Sequence, residues 1–326
     1  MAKILIIIAL VITFCCGSAL AEDPIKVGAP VPLTGPYASV GQTMLRAYEM
    51  AADEINAEGG LLGRQLKVIS GDVSDCQAEN AMAVAERLIA AGVDMVNTGF
   101  DSFSNANIKV YGKYDMPYMT GSSNHIFSDA IEEGMPGTNN CFMYVWKEFA
   151  YGYSLLDELF EAPKKMGWTP PNKKIAVIKV DFAYAMAPAD LFVEGAKAKG
   201  YEVVMDEVIQ FGKVDYGTIL TKIERLKPSY VFFTDPAPDD AARFAIQFYD
   251  RFAKKGLEAI VVQQYAPGTP EFMELVGVEK AEGVLYIGGS VRQWLPANKE
   301  FLDRWESRYK ERPFDIYSVI CYDGFN

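Results

Sequence analysis

The chain has 326 residues, half of them apolar, and a net charge of −12 from 43 acidic and 31 basic side chains. That length is too great for one ordinary core and fits two domains of about 130–150 residues each. The acidity argues against nucleic acid and anionic lipid as partners, both of which need Lys and Arg to meet their phosphates, and its plain effect is solubility.

The N-terminus reads as a secretory leader. Lys3 precedes an apolar run at 4–14, and Ala19-Leu20-Ala21 supplies a small-residue site for cleavage after Ala21. The run is too short to span a bilayer core of roughly 30 Å as a helix. Cys15 and Cys16 offer a lipoprotein alternative, but Ile12-Thr13-Phe14 before them fits a lipid-attachment signal poorly. No other stretch is long and apolar enough to cross a membrane, so the mature chain is expected in the periplasm.

Strand and helix patterns then alternate. Strands are expected at 25–31, 66–70, 93–97 and 116–120. The helices between them fall at 41–57, 78–91 and from 102 to 111, the second with Ala81, Met82, Ala85, Leu88 and Ile89 inward. After Cys141 the series restarts with a helix at 149–162, a Pro- and Lys-rich loop at 167–173 and a strand at 175–180. It continues with helices at 188–199, 216–226, 239–254 and 297–309, and strands at 201–208, 230–234, 259–262 and 283–287. The last residues, 322–326, read as the start of a further helix, with more chain expected beyond them. Near-continuous apolar strands alternating with helices imply two parallel sheets covered on both faces, an α/β chain of two similar lobes.

Three cysteines follow the leader: Cys76, Cys141 and Cys321. No C-x-x-C pair is present, which argues against zinc and thioredoxin chemistry; one disulfide with one spare thiol is possible in an exported chain. Catalytic signatures are missing as well: no G-x-S-x-G, no H-E-x-x-H, no P-loop and no G-x-G-x-x-G after a strand. The one histidine, His125, reads as a surface or packing residue, and neither a metal nor a cofactor is expected.

Small polar residues gather instead where strands end. Thr34-Gly35-Pro36-Tyr37 follows the first strand, Asp101-Ser102-Phe103-Ser104 the third, and Gly121-Ser122-Ser123-Asn124 the fourth. Ligands of open parallel sheets sit beyond these carboxyl ends, where hydroxyls and helix N-termini suit a carboxylate. Each residue could equally cap its own turn. In the second half Asp181-Phe182-Ala183-Tyr184, Asp235-Pro236-Ala237-Pro238 and Gln264-Tyr265-Ala266 take the matching places. Their aromatic rings suit an apolar ligand body, and Asp235 suits either a ligand donor or a helix cap.

Three stretches carry a resemblance: Leu33-Thr34-Gly35-Pro36, then Asp53-Glu54-Ile55-Asn56-Ala57-Glu58-Gly59-Gly60, then the block from Ser102 to Asn124. Lys174-Ile175-Ala176-Val177-Ile178 and Ala281-Glu282-Gly283 extend it. The chain resembles the leucine/isoleucine/valine-binding proteins of bacterial ABC importers, which have the type I periplasmic binding fold. The resemblance implies two Rossmann-like lobes joined by a three-stranded hinge, closing on a small ligand. It divides the chain into a leader at 1–21, lobe one at 22–145 plus 284–326, and lobe two at 146–283. It further implies a monomer that docks on permease subunits in the inner membrane; a sensor subunit on the same fold is the alternative, and an exported enzyme would have to work through His125.

By the same resemblance the carboxylate site falls on Asp101 or Ser102, on Ser122 and Ser123, and on Asn124, where amino acid binders usually have Thr. The aromatic lid falls on Tyr184, and further contacts fall near Asp235 and on Tyr265. Tyr265 stands where amino acid binders commonly hold the ammonium with an acidic residue, and the family's first-lobe disulfide has no partner for Cys76. These departures place a compact organic acid, an aromatic acid or an amide beside an α-amino acid as expected ligands.

Overall fold

Buried strands and amphipathic helices build two lobes, each around a five-stranded, all-parallel sheet. The computed structural model describes residues 23–153, 156–253, 255–256, 258–288, 296–313 and 316–326; the expected leader at 1–21 lies outside them. The first sheet has the order β2-β1-β3-β4-β5. Its elements run β1 (Ile25–Val31), α1 (Ala38–Ala57), β2 (Leu66–Asp72), α2 (Ala78–Ala90) and β3 (Met95–Thr98), followed by α3 (Ala106–Lys113), β4 (Tyr118–Thr120), α4 (His125–Glu132) and β5 (Cys141–Met143). The chain crosses to the second lobe and forms α5 (Phe149–Tyr153), α6 (Leu156–Lys165), β6 (Lys174–Val180), α7 (Ala183–Ala198) and β7 (Glu202–Ile209). That lobe continues through α8 (Gly217–Leu226), β8 (Tyr230–Thr234), α9 (Pro238–Phe252), β9 (Ile260–Gln264), α10 (Pro270–Lys280) and β10 (Val284–Ile287), in the sheet order β10-β9-β8-β6-β7. Finally α11 (Pro296–Tyr309) and α12 (Tyr317–Asp323) return to the first lobe, where Trp305 and Cys321 join its core.

The reasons are local. All five residues of β8 are buried, because helices cover both faces of a parallel sheet. Helix α9 begins with Pro238 and carries Asp239 and Asp240 in its first turn, a rigid start with negative charge at the positive end of the helix dipole. Glycine at 41 is obligatory, since a Cβ there would lie 1.8 Å from the Pro32 carbonyl oxygen and force α1 off β1. The Asp53–Asn56 run proves to be scaffold. Asp53 pairs with Arg308 at 2.6 Å and Glu54 with Arg304 at 2.9 Å, while Asn56 bonds the backbone of Leu66 in β2 with both ends of its amide.

Several expectations need correction. The helix expected from 102 starts only at Ala106, because Ser102 and Ser104 bond their own turn. On α2, Met82 faces solvent and Val84 takes the inward place. The helix at 149–162 is two helices, and α7 begins five residues before the expected 188, with Pro188 inside it. Helices α4 and α10 and the three-residue β5 stand outside the expected elements; α10 is itself broken at Gly277, where φ is +72°. Residues 317–323 are a helix that ends near the chain's last residue instead of starting there. Strand β10 pairs with β9, so Val284–Ile287 extends the second sheet past the expected division at 283/284. Cys76, Cys141 and Cys321 are all buried, with no disulfide among them.

Candidate functional site

The carboxyl ends of both sheets open onto one cleft between the lobes, with about 440 Å³ of space free of protein atoms when the solvent at its mouth is included. From lobe one it is lined by Ser122, Ser123 and Asn124 after β4, and by the rings of Tyr37, Phe100 and Phe103. Tyr184, Pro236 and Tyr265 close it from lobe two, and Tyr317 of α12 completes the wall. Each second-lobe residue stands just past the end of a strand, the place open α/β sheets give to ligands. Of the expected residues, five meet here: Ser122, Ser123, Asn124, Tyr184 and Tyr265.

The turn after β4 has divided its polar groups. Asn124 caps α4, its Oδ1 accepting from Ile126 N at 3.0 Å, which leaves its two Nδ2 protons for the cleft. Ser123 Oγ donates to the Trp146 carbonyl at 2.8 Å, so its proton is already placed. Ser122 Oγ has no hydrogen-bond partner among the described residues. Within this turn Ser122 and Asn124 are therefore the donors available to a ligand oxygen, with the N-terminal dipole of α4 behind them. Glu148, fully buried, holds the turn from beneath by accepting from His125 N at 2.6 Å and pairing with His125 Nδ1. The His125 ring stacks on Phe149 at 5.1 Å. His125 is thus a packed, paired residue outside the cleft lining.

The aromatic wall is ordered by edge-to-face packing. Tyr37 meets Phe100 at 5.8 Å and Phe103 at 5.4 Å, and Tyr317 meets Phe100 at 5.1 Å and Tyr265 at 6.3 Å, the last contact joining the lobes. Tyr265 itself has φ 58° and ψ −59°, a sparsely populated conformation for a side-chain-bearing residue. Such strain gathers at ligand sites.

Three expected residues do not line the cleft. Asp101 is turned into lobe one, where it accepts from Tyr118 OH at 2.7 Å and Asn107 Nδ2 at 2.8 Å; burial pushes its carboxyl up to about 6. Ser102 Oγ accepts from Ser104 N at 3.1 Å and serves the turn. Asp235 accepts from Ala237 N at 3.0 Å; its other oxygen is buried without a partner among the described residues, and burial pushes the carboxyl up to about 7. Reasoning from the sequence missed Tyr37, Phe100, Phe103, Pro236 and Tyr317. The first four sit within or beside strand-end turns already singled out, a usable signal, whereas nothing near Tyr317 in the sequence points to the cleft. No group of His, Cys, Asp and Glu suited to a metal ion occurs among the described residues, nor does any helix among them have the length and apolarity to cross a membrane.

Residues 24–326 match the family described as periplasmic binding protein. The Leu/Ile/Val-binding protein homolog 7 of Brucella abortus (strain 2308) is 27% identical, over 94% of this chain and 76% of that one. A Silicibacter pomeroyi structure, provisionally named a branched-chain amino acid ABC transporter, superposes with a TM-score of 0.78 at 26% identity, covering 92% of this chain and 75% of its own. A solute-binding protein of an R. palustris ABC transporter, solved with benzoate, gives a TM-score of 0.73 at 21% identity, over 93% and 78% of the two chains. The two-lobed fold, the cleft at the strand ends and the match along nearly all of the described chain lead to one conclusion: this chain belongs to the periplasmic binding protein family.

Proposed function

We propose that the chain is the solute receptor of an ABC importer and that its ligand is a compact aromatic carboxylate. The observation that carries the ligand class is the lining of the cleft. Six aromatic rings line it, the non-phenolic donors Ser122 and Asn124 sit together on the turn after β4, and no charged side chain lines it among the described residues. An aromatic acid presents that same division, an apolar ring with one anionic group. The ammonium of an α-amino acid would find no carboxylate on this wall among the described residues. The R. palustris neighbour, whose structure holds benzoate, supports the class by analogy. The receptor acts in the periplasm, and the closed lobes present a joint surface to permease subunits.

A thermal-shift series with benzoate, leucine and isoleucine tests the reading. A ligand at a hundred times its dissociation constant adds about 2.7 kcal/mol to stability. Benzoate is expected to raise the melting temperature; a shift with leucine or isoleucine alone would refute the aromatic class, and no shift with any small solute would refute the receptor. Within the site, Ser122→Ala should weaken benzoate binding by about 1–2 kcal/mol. Ser123→Ala should change it less, because that hydroxyl serves Trp146. Titration calorimetry on both variants checks the order, and a larger loss at Ser123 would reverse the assignment.

A further inference from the structure

Behind the second-lobe wall of the cleft, two strands end in buried polar side chains that bond to nothing among the described residues. Thr234 closes β8 and Gln264 closes β9, and both are 0% exposed. Thr234 Oγ1 and both Gln264 side-chain polar atoms, Oε1 and Nε2, have no hydrogen bond among the described residues. The parallel register pairs Phe233 with Gln263, so Thr234 and Gln264 stand next to each other across the ladder. Alternation along a strand puts them on the face of Phe232 and Val262, whose core cluster also packs Tyr184. Lys179, paired in register with Thr234, is occupied by Asp190 and by Asp206 at 2.9 Å. By contrast Gln263, pointing to the opposite face, donates to Ala241 O at 2.9 Å.

A buried polar group without a partner destabilises the fold, so two such side chains side by side mark a place for a polar occupant. Their position says which. Tyr265, the residue after Gln264, lines the cleft, and so do Pro236, two residues after Thr234, and Tyr184 on the same face. The Gln264 side chain has three rotatable bonds, enough to swing its amide toward that wall. Both side chains can donate and accept, which matches a neutral hydroxyl or carboxamide. A second carboxylate would be refused, since the only cation in the row is already taken.

We propose that Thr234 and Gln264 form the specificity-determining pair of lobe two, and that they receive a hydroxyl or carboxamide at the far end of an aromatic acid whose carboxylate lies at Ser122 and Asn124. This rests on the aromatic-acid reading above. The experiment is titration calorimetry of the full chain with benzoate, 3-hydroxybenzoate, 4-hydroxybenzoate and 4-carbamoylbenzoate, on the wild type, Thr234→Val and Gln264→Leu. At least one substituted acid is expected to bind the wild type about tenfold more tightly than benzoate. Each variant should lose that advantage, keep its benzoate affinity, and melt without ligand no lower than the wild type, because an unpaired buried group has been removed. Benzoate binding with no gain from any substituent would overturn the pair's role and leave the aromatic-acid reading intact. So would variants that keep the gain, or that melt lower with unchanged selectivity, the mark of an internal water site. Failure of all four acids to bind would overturn both readings together.

Discussion

Tyr184→Ala is expected to weaken benzoate binding thirty- to a hundredfold. Tyr184 opens α7 directly beyond the end of β6 and brings a ring from lobe two against a ligand held by lobe one. Covering an aromatic body removes apolar area from water on both partners, and losing that cover costs about 2.0–2.8 kcal/mol, which gives the stated range. Tyr184→Phe keeps the ring and should stay within about threefold of the wild type. Titration calorimetry separates the outcomes: unchanged affinity in the alanine variant would remove Tyr184 from the site, and an equal loss in both variants would move its contribution from the ring to the hydroxyl. Stability without ligand should barely change, since the ring is only partly buried against its own lobe.

The second large effect concerns Asp235 and depends on pH. Burial raises its carboxyl to about 7, against about 3.9 for an aspartate in the unfolded chain. Below about pH 4 both states hold the proton and the residue costs no charge burial. Between about pH 4 and 7 the unfolded chain releases the proton while the folded chain keeps it, so stability falls as pH rises, and above about pH 7 the whole deficit is present. Asp235→Asn removes the charge but keeps an oxygen to cap Ala237 N. It should therefore stabilise the protein by about 2–4 kcal/mol at pH 8 and by little at pH 4. Urea denaturation at the two pH values measures this, and a gain of equal size at both would contradict it. Asp101 offers the opposite case on the same chain. Its carboxylate accepts from both Tyr118 and Asn107, so Asp101→Asn would set one amide donor against another and should destabilise the protein at pH 8. A stabilised Asp101→Asn variant would show that burial of the charge outweighs those two bonds.

The two aspartates show how far strand-end reasoning reaches. Both follow a strand and both read as ligand contacts, yet one accepts from a tyrosine and an asparagine inside its lobe and the other accepts from Ala237 N in the turn before α9. Direction past a strand end depends on one residue of phase and on what the neighbouring helix needs, and neither is written in residue type. Serines 122 and 123 divide in the same way. The hydroxyl of Ser123 is claimed by Trp146, a residue on the crossing between lobes, and no local pattern signals that partner.

What the amino-acid sequence determined by itself was the alternation of apolar strands with amphipathic helices, hence two parallel α/β lobes, and the turns where a ligand would meet them. Those features follow from periodicity, which is a local property of the chain. The tertiary structure alone decided the composition of the cleft: Tyr317 arrives from the far end of the chain, Tyr37 and Phe103 turn inward, and Asp101 and Asp235 turn away. It also decided that Thr234 and Gln264 would share a row without partners, because register between β8 and β9 is fixed by two helix-covered faces packing at once. Side-chain direction at a strand end is a competition among distant neighbours, and that competition is settled only when both lobes have folded.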